Sequence, residues 1–219
     1  MEVSIIKKQY NSDKYNIFDN NINVCDKNKI KESVLIDLNC TLRGNFKLNE
    51  NVQIKHFSYI EDSTINKNSV VFNSVVESSV VGENCLIGPF AHIRPNSKIM
   101  DNVKIGNFVE IKNSTIGKNS KVSHMSYVGD AVVGENCNIG CGVIFANYNG
   151  KQKNKIVIGN NCFIGSNCNL IAPLNIADNT YICAGTTVTK DTNINDFVIG
   201  RCREVVKPNR ATKYYSKEN

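Results

Sequence analysis

No apolar run in these 219 residues approaches membrane-spanning length, and the opening MEVSIIKKQY lacks a signal-peptide core. Those two absences argue against a membrane or secreted protein and predict a cytoplasmic chain. The nine cysteines contain no CxxC pair, so the spacing of a zinc ribbon is missing and no metal is expected. No glycine precedes Gly44, so the opening stretch holds no Gly-rich cradle for nucleotide phosphates. Histidine is scarce, with only His56, His92 and His124. The net charge of +6 suits an anionic small molecule but is too diffuse to argue for nucleic acid, so neither nucleic-acid nor membrane partners are expected.

What is present is a repeat. From Leu42 to about Gly200 an aliphatic anchor recurs, often with a glycine after it and a small residue four positions on. The anchors run through Ile87, Ile93, Ile99, Ile105, Ile111, Ile116 and Val122, and later through Ile158, Ile164, Leu170, Ile176, Ile182, Val188 and Ile194. Most steps are six residues and a few are five. A helix cannot hold a six-residue period on one face, and an alternating strand shows period two. A hexad repeat marks a parallel β-helix, in which three hexads close one triangular coil. Residues about 18 apart therefore stack one strand spacing, ~4.8 Å, above one another. Cys85, Cys137, Cys162 and Cys168 fall at the inward small position, where cysteine serves as a compact hydrophobe.

Three parts follow. Residues 1–41 read as a polar, partly ordered lead-in or cap, 42–200 as an all-β helix, and 201–219 as a basic C-terminal tail or short helix. The run ANYNGKQKNKIV, 146–157, breaks the period and reads as a loop bulging from the hexad of Phe145.

Stacking turns the repeat into columns. Arg94 and Lys112 follow equivalent anchors on consecutive coils, so two cations stand one strand spacing apart. Two readings fit: both side chains splay into solvent, or an anion such as phosphate joins them. Beside them His92, Glu110 and Tyr127 share a position on three coils, and His124 points outward on the same face. The column through His124 has Asn107 above and Cys141, Ser166 and Ala184 below, given the loop. Small side chains make that face a shallow groove, on the order of 20 Å over four spacings, with Arg201 and Lys207 near its far end. An extended pantetheine arm would fit it, as would ordinary surface.

These residues carry a resemblance. The runs GPFAHIRP (88–95), GNFVEIK (106–112), SHMSYVGDAVVGENCNIGCG (123–142), ANYNG (146–150) and AGTTVTKD (184–191) closely resemble the acetyltransferase domain of bacterial N-acetylglucosamine-1-phosphate uridyltransferase/glucosamine-1-phosphate N-acetyltransferase. The match runs nearly without gaps from about Gly82 to Arg201 and more loosely back to Leu42. The resemblance implies a left-handed coil, a homotrimer with sites between subunits, and acetyl-CoA as co-substrate. It implies that His124 is the general base, oriented by Glu110. It implies that Arg94, Lys112, Tyr127, Asn138 and the loop's Lys153 bind an amino-sugar phosphate. Acetyl-CoA would contact Cys141, Asn147, Tyr148, Ser166, Ala184 and Arg201. Cys141 stands where the family often has alanine, which narrows the groove slightly.

Such members carry a nucleotidyltransferase domain ahead of the β-helix, for which residues 1–41 are too short. The chain therefore resembles the acetyltransferase half alone, and a separate uridylyltransferase is an expected partner in nucleotide-sugar synthesis. N-acetylation needs a base for the amine proton and donors for the oxyanion, with Asn147 one candidate donor. Three other readings stand beside this one: an acetyltransferase for another amino or hydroxy sugar, a three-histidine zinc enzyme of the γ-carbonic-anhydrase type, and a non-catalytic scaffold. His56 lies about two coils from His92, the wrong geometry for the zinc enzyme. The assembled His, Glu, Lys and Arg corner argues against the scaffold.

Overall fold

A computed structural model describes residues 33–215 together with the pair Asn16–Ile17. Most of the 1–41 lead-in thus lies outside the described residues. With Asn16–Ile17 as the first strand of one face, the chain winds as strands of two to four residues into three parallel sheets of eleven, nine and eight strands, which form the three faces of a parallel β-helix. Each hexad contributes one outward residue, one inward anchor and one corner. The pairing runs in register, with Leu86 beside Lys104 and Ile87 beside Ile105 on the eleven-stranded face. His92, Glu110 and Tyr127 are successive partners on the nine-stranded face, and Asn107 is the partner of His124.

The anchors point inward and fill one continuous core; Ile93, Ile105, Ile111 and Val122 are fully buried. Cys85, Cys137, Cys162 and Cys168 are buried among them as free thiols. Corners explain another feature of the composition. Of the twenty-three non-glycine residues at positive φ among those described, fifteen are Asn, the residue whose short amide tolerates the left-handed region best after glycine. Stacked corner amides then bond to one another: Asn119 Nδ2 to Asn136 Oδ1 at 3.0 Å, and Asn161 Nδ2 to Asn179 Oδ1 at 3.2 Å.

Two boundaries differ from the sequence reading. The coil stack starts before Leu42: Leu35–Ile36 pairs with Gln53–Ile54, and Ile36 and Cys40 are buried. That hexad obeys the same anchor-plus-four rule, but its polar neighbours hide it. At the other end Ile194 is 64% exposed rather than inward. The eight-stranded face ends one coil earlier, where Asp191 and Thr192 side chains accept from the backbone N–H groups of Asn175 and Ala177. With those donors capped, no further strand is needed and Ile194 falls in a turn. The final strand, Phe197–Val198, pairs with Tyr181–Ile182, and a short helix spans Thr212–Tyr215. The loop leaves after Ile144–Ala146 and returns at Ile156–Ile158, closed on itself by a bridge between Tyr148 and Lys153.

Candidate active site

The nine-stranded face carries the charged cluster. Arg94 Nη1 donates to Glu110 Oε1 at 2.7 Å, and this contact raises the guanidinium's pKa further. Both side chains are 39% exposed, so the pair adds at most about 1 kcal/mol of stability. Two register positions along the strand from Glu110 stands Lys112, whose cross-strand partner is Gly129. Lys153, from the loop, comes close enough to Lys112 that their repulsion holds its ammonium below the usual lysine range, while Asp130 and Tyr127 oppose the shift. Among the described residues neither Lys112 nor Lys153 has a carboxylate within ion-pair distance, and Asp130 acts on Lys153 from farther off. Arg94 is offset by Glu110, and the remaining positive charge is an invitation to an anion.

Tyr127 sits between these cations and the loop. Asn147, 6% exposed, donates from Nδ2 to Tyr127 Oη at 3.3 Å and to Asp130 Oδ2 at 2.6 Å. Its backbone N–H is also used, on Phe145 O at 2.9 Å. Both donors of the residue considered for the oxyanion are therefore engaged within the chain. Gly129 makes this packing feasible, since a Cβ there would collide with the Tyr127 hydroxyl and the Asn147 amide.

His124 lies at the corner between the eleven- and nine-stranded faces, exposed, with Nδ1 2.8 Å from Asn107 Oδ1. With the amide oxygen as acceptor, Nδ1 carries the proton and Nε2 keeps its lone pair. Glu110, which the sequence reading pairs with His124, contacts Arg94 here, and the side chain at His124 Nδ1 is Asn107. His92 is likewise engaged, its Nε2 2.7 Å from Glu77 Oε2. Below His124 the column continues as expected. Gly142 N donates to His124 O, Asn167 N to Cys141 O and Gly185 N to Ser166 O, so Cys141, Ser166 and Ala184 follow one another down the corner. Ser166, Ala184 and Arg201 line a hollow of about 510 Å³, and Arg201 Nη1 donates to Ala184 O at 2.9 Å. Tyr148, at the loop's tip, is 60% exposed and bonds through its hydroxyl to Gly150 O.

One residue stands apart. Asn138 lies on the eleven-stranded face between Lys121 and Phe163, not with Arg94, Lys112, Tyr127 and Lys153 on the nine-stranded face. Among the described residues, no three His, Cys, Asp or Glu side chains converge as metal ligands, and no helix is long and apolar enough to cross a membrane. Asn107 and Asp130 are the polar contacts that the sequence reading left without a role. Their signals were present, as the in-register neighbour of His124 and the acid closing the YVGD run.

Residues 78–113 and 155–190 match the family model described as bacterial transferase hexapeptide (six repeats). The chain is 47% identical over 179 residues to the bifunctional protein GlmU of Clostridium botulinum, a match covering 82% of this chain and 39% of that protein. To GlmU of Campylobacter fetus it is 42% identical over 191 residues, covering 87% of this chain and 42% of the relative. The chain thus spans about two fifths of the length of these curated relatives. Among solved structures, LpxA of Bacteroides fragilis, a UDP-N-acetylglucosamine acyltransferase, superposes with a TM-score of 0.62 at 22% identity, over 69% of this chain and 66% of that one. That likeness is one of fold.

Proposed function

The chain belongs to the hexapeptide-repeat transferases related to GlmU, and we propose that it moves the acetyl group of acetyl-CoA to the amine of glucosamine-1-phosphate. The product would be N-acetylglucosamine-1-phosphate, for use in UDP-N-acetylglucosamine synthesis in the cytoplasm. The observation that carries this reading is the convergence of Lys112 and Lys153, with Lys153 depressed by its neighbour, beside the stacked Arg94. Like charges held together, with Asp130 opposing their repulsion only in part, are stabilised when a dianionic phosphate joins them.

In this reading Arg94, Lys112, Lys153 and Tyr127 hold the sugar phosphate, and His124 takes the proton released by the attacking amine. Asn107 fixes the tautomer that leaves Nε2 basic, the positioning logic of any general-base histidine. Acetyl-CoA supplies the activated acyl group and a good thiolate leaving group. The small-residue column Cys141–Ser166–Ala184 gives its pantetheine arm close access to backbone, and Arg201 at the far end suits its phosphates. Asn147 serves this arrangement by fixing the loop, and Tyr148 contacts the cofactor from the loop's tip.

The isolated position of Asn138 favours a homotrimer in which one copy's eleven-stranded face meets another's nine-stranded face over the sugar. The corner between those faces supports it. Phe57, Phe90, Phe108 and Met125 occupy left-handed corners there, 63%, 52%, 59% and 59% exposed. Bulky side chains are disfavoured at such corners, and burial against a neighbour would offset the cost. A uridylyl transfer would consume the product.

Coenzyme A release measured across a panel of amino sugars and their phosphates tests the proposal. Glucosamine-1-phosphate is expected to be the best acceptor. A different amino or hydroxy sugar with a higher kcat/KM would overturn the acceptor assignment.

A further inference from the structure

The loop 147–155 leaves the coil for nine residues and carries Lys153, yet one residue of the coil above, Asp130, touches both its entry and its exit. Asp130 Oδ2 accepts from Asn147 Nδ2 at 2.6 Å, at the loop's entry, and the Asp130 backbone carbonyl accepts from Ile156 N at 3.3 Å, at its exit. Asp130 Oδ1 accepts from Asn113 Nδ2 at 2.6 Å, tying the same carboxylate to the preceding corner. Asn147 completes the closure by accepting from Asn154 N at 2.7 Å.

Most corners in this protein are satisfied by an asparagine, including the one directly above at Asn113. This corner has an aspartate because it faces two amide donors, one from the coil above and one from the loop, and a carboxylate offers an acceptor to each. An asparagine would meet one of those donors with its own NH₂. The carboxylate also lies near Lys153, where its charge opposes the repulsion from Lys112.

We propose that Asp130 is a positioning residue that closes the base of the loop and so delivers Lys153 to the acceptor's phosphate. The delivery part rests on the acetyltransferase reading above; the closure does not. Without the clamp, Lys112 repulsion drives Lys153 and the loop away from the site.

The experiment compares wild type, Asp130→Asn, Asn147→Asp and the double exchange Asp130→Asn/Asn147→Asp. Asparagine tolerates the left-handed backbone of position 130, φ 50°, so the fold is retained, and thermal melts check it. The double exchange restores an amide–carboxylate pair with the partners reversed. One readout is the rate of trypsin cleavage after Lys151, Lys153 and Lys155, which are exposed in the loop. The other is the KM for glucosamine-1-phosphate against kcat and the KM for acetyl-CoA. Asp130→Asn is expected to speed loop cleavage and to raise the sugar-phosphate KM by about tenfold, as loss of a hydrogen bond to a charged group does. Acetyl-CoA KM should rise less, through Tyr148 on the same loop, and kcat at saturating substrates should stay within about twofold. The double exchange should restore both changes. Wild-type cleavage in Asp130→Asn, or no recovery in the double exchange, overturns the clamp. Faster cleavage with an unchanged sugar-phosphate KM overturns the positioning role. If the wild type turns over no amino-sugar phosphate, the functional reading has failed, and the cleavage arm alone supports or overturns the closure.

Discussion

His124 Nδ1 and Asn107 Oδ1 are 2.8 Å apart because the two residues are register partners on adjacent coils. The amide therefore sets the imidazole's tautomer without help from an acid. His124→Ala is expected to lower kcat by ~10²–10⁴-fold with acetyl-CoA binding nearly unchanged. Asn107→Leu should reproduce a smaller part of that loss. Steady-state kinetics with calorimetric acetyl-CoA binding checks both, and near-wild-type turnover in His124→Ala would refute the base assignment.

Replacement of Lys112 by methionine should raise the KM for the sugar phosphate far more than that for acetyl-CoA, because the stacked cations face one substrate only. Arg94→Met should act in the same direction and also leaves Glu110 without its 2.7 Å partner. Equal effects on both substrates would place the cations outside the acceptor site.

Lys153 gives a pH signature. In the free protein it loses its proton at lower pH than an ordinary lysine, since Lys112 disfavours its charge. A bound phosphate favours the charged form, so binding takes up a proton above that depressed pKa. Affinity for the sugar phosphate should hold at lower pH and fall as pH rises through it. In Lys112→Met the repulsion is gone and the fall attributable to Lys153 should move to higher pH. A pH series of sugar-phosphate binding in the two proteins checks the direction; an identical alkaline limb contradicts the pairing.

The corner ladder makes a stability prediction. Asn136 sits at φ 56° between Asn119 and Asn161, accepting from one at 3.0 Å and donating to the other at 3.3 Å. Asn136→Ala should cost ~1–2 kcal/mol for the left-handed backbone alone. Asn136→Gly should cost less, since glycine enters that region freely. Denaturant melts that place glycine level with alanine would mean that the amide ladder, which both variants lose, dominates over the backbone.

Much of this was legible in the sequence because a β-helix converts spacing into contact. A period near 18 residues fixes which side chains stack, so the His92–Glu110–Tyr127 column and the groove below His124 follow from counting. What counting misses is side-chain choice among neighbours. Glu110 takes Arg94, and His124 is left with Asn107. Loop closure was also hidden, because Asp130 and Asn147 are 17 residues apart, close to one coil, but one of them lies outside the repeat. Ile194 misled for the opposite reason: it keeps the period after the face it would fill has ended.

The central claim is that the cation cluster and His124 serve one acceptor. Its most direct test is the ratio of kcat/KM for glucosamine-1-phosphate to that for glucosamine, read by coenzyme A release. The account predicts a strong preference for the phosphate that collapses in Lys112→Met. Equal use of the two sugars by the wild type would contradict it.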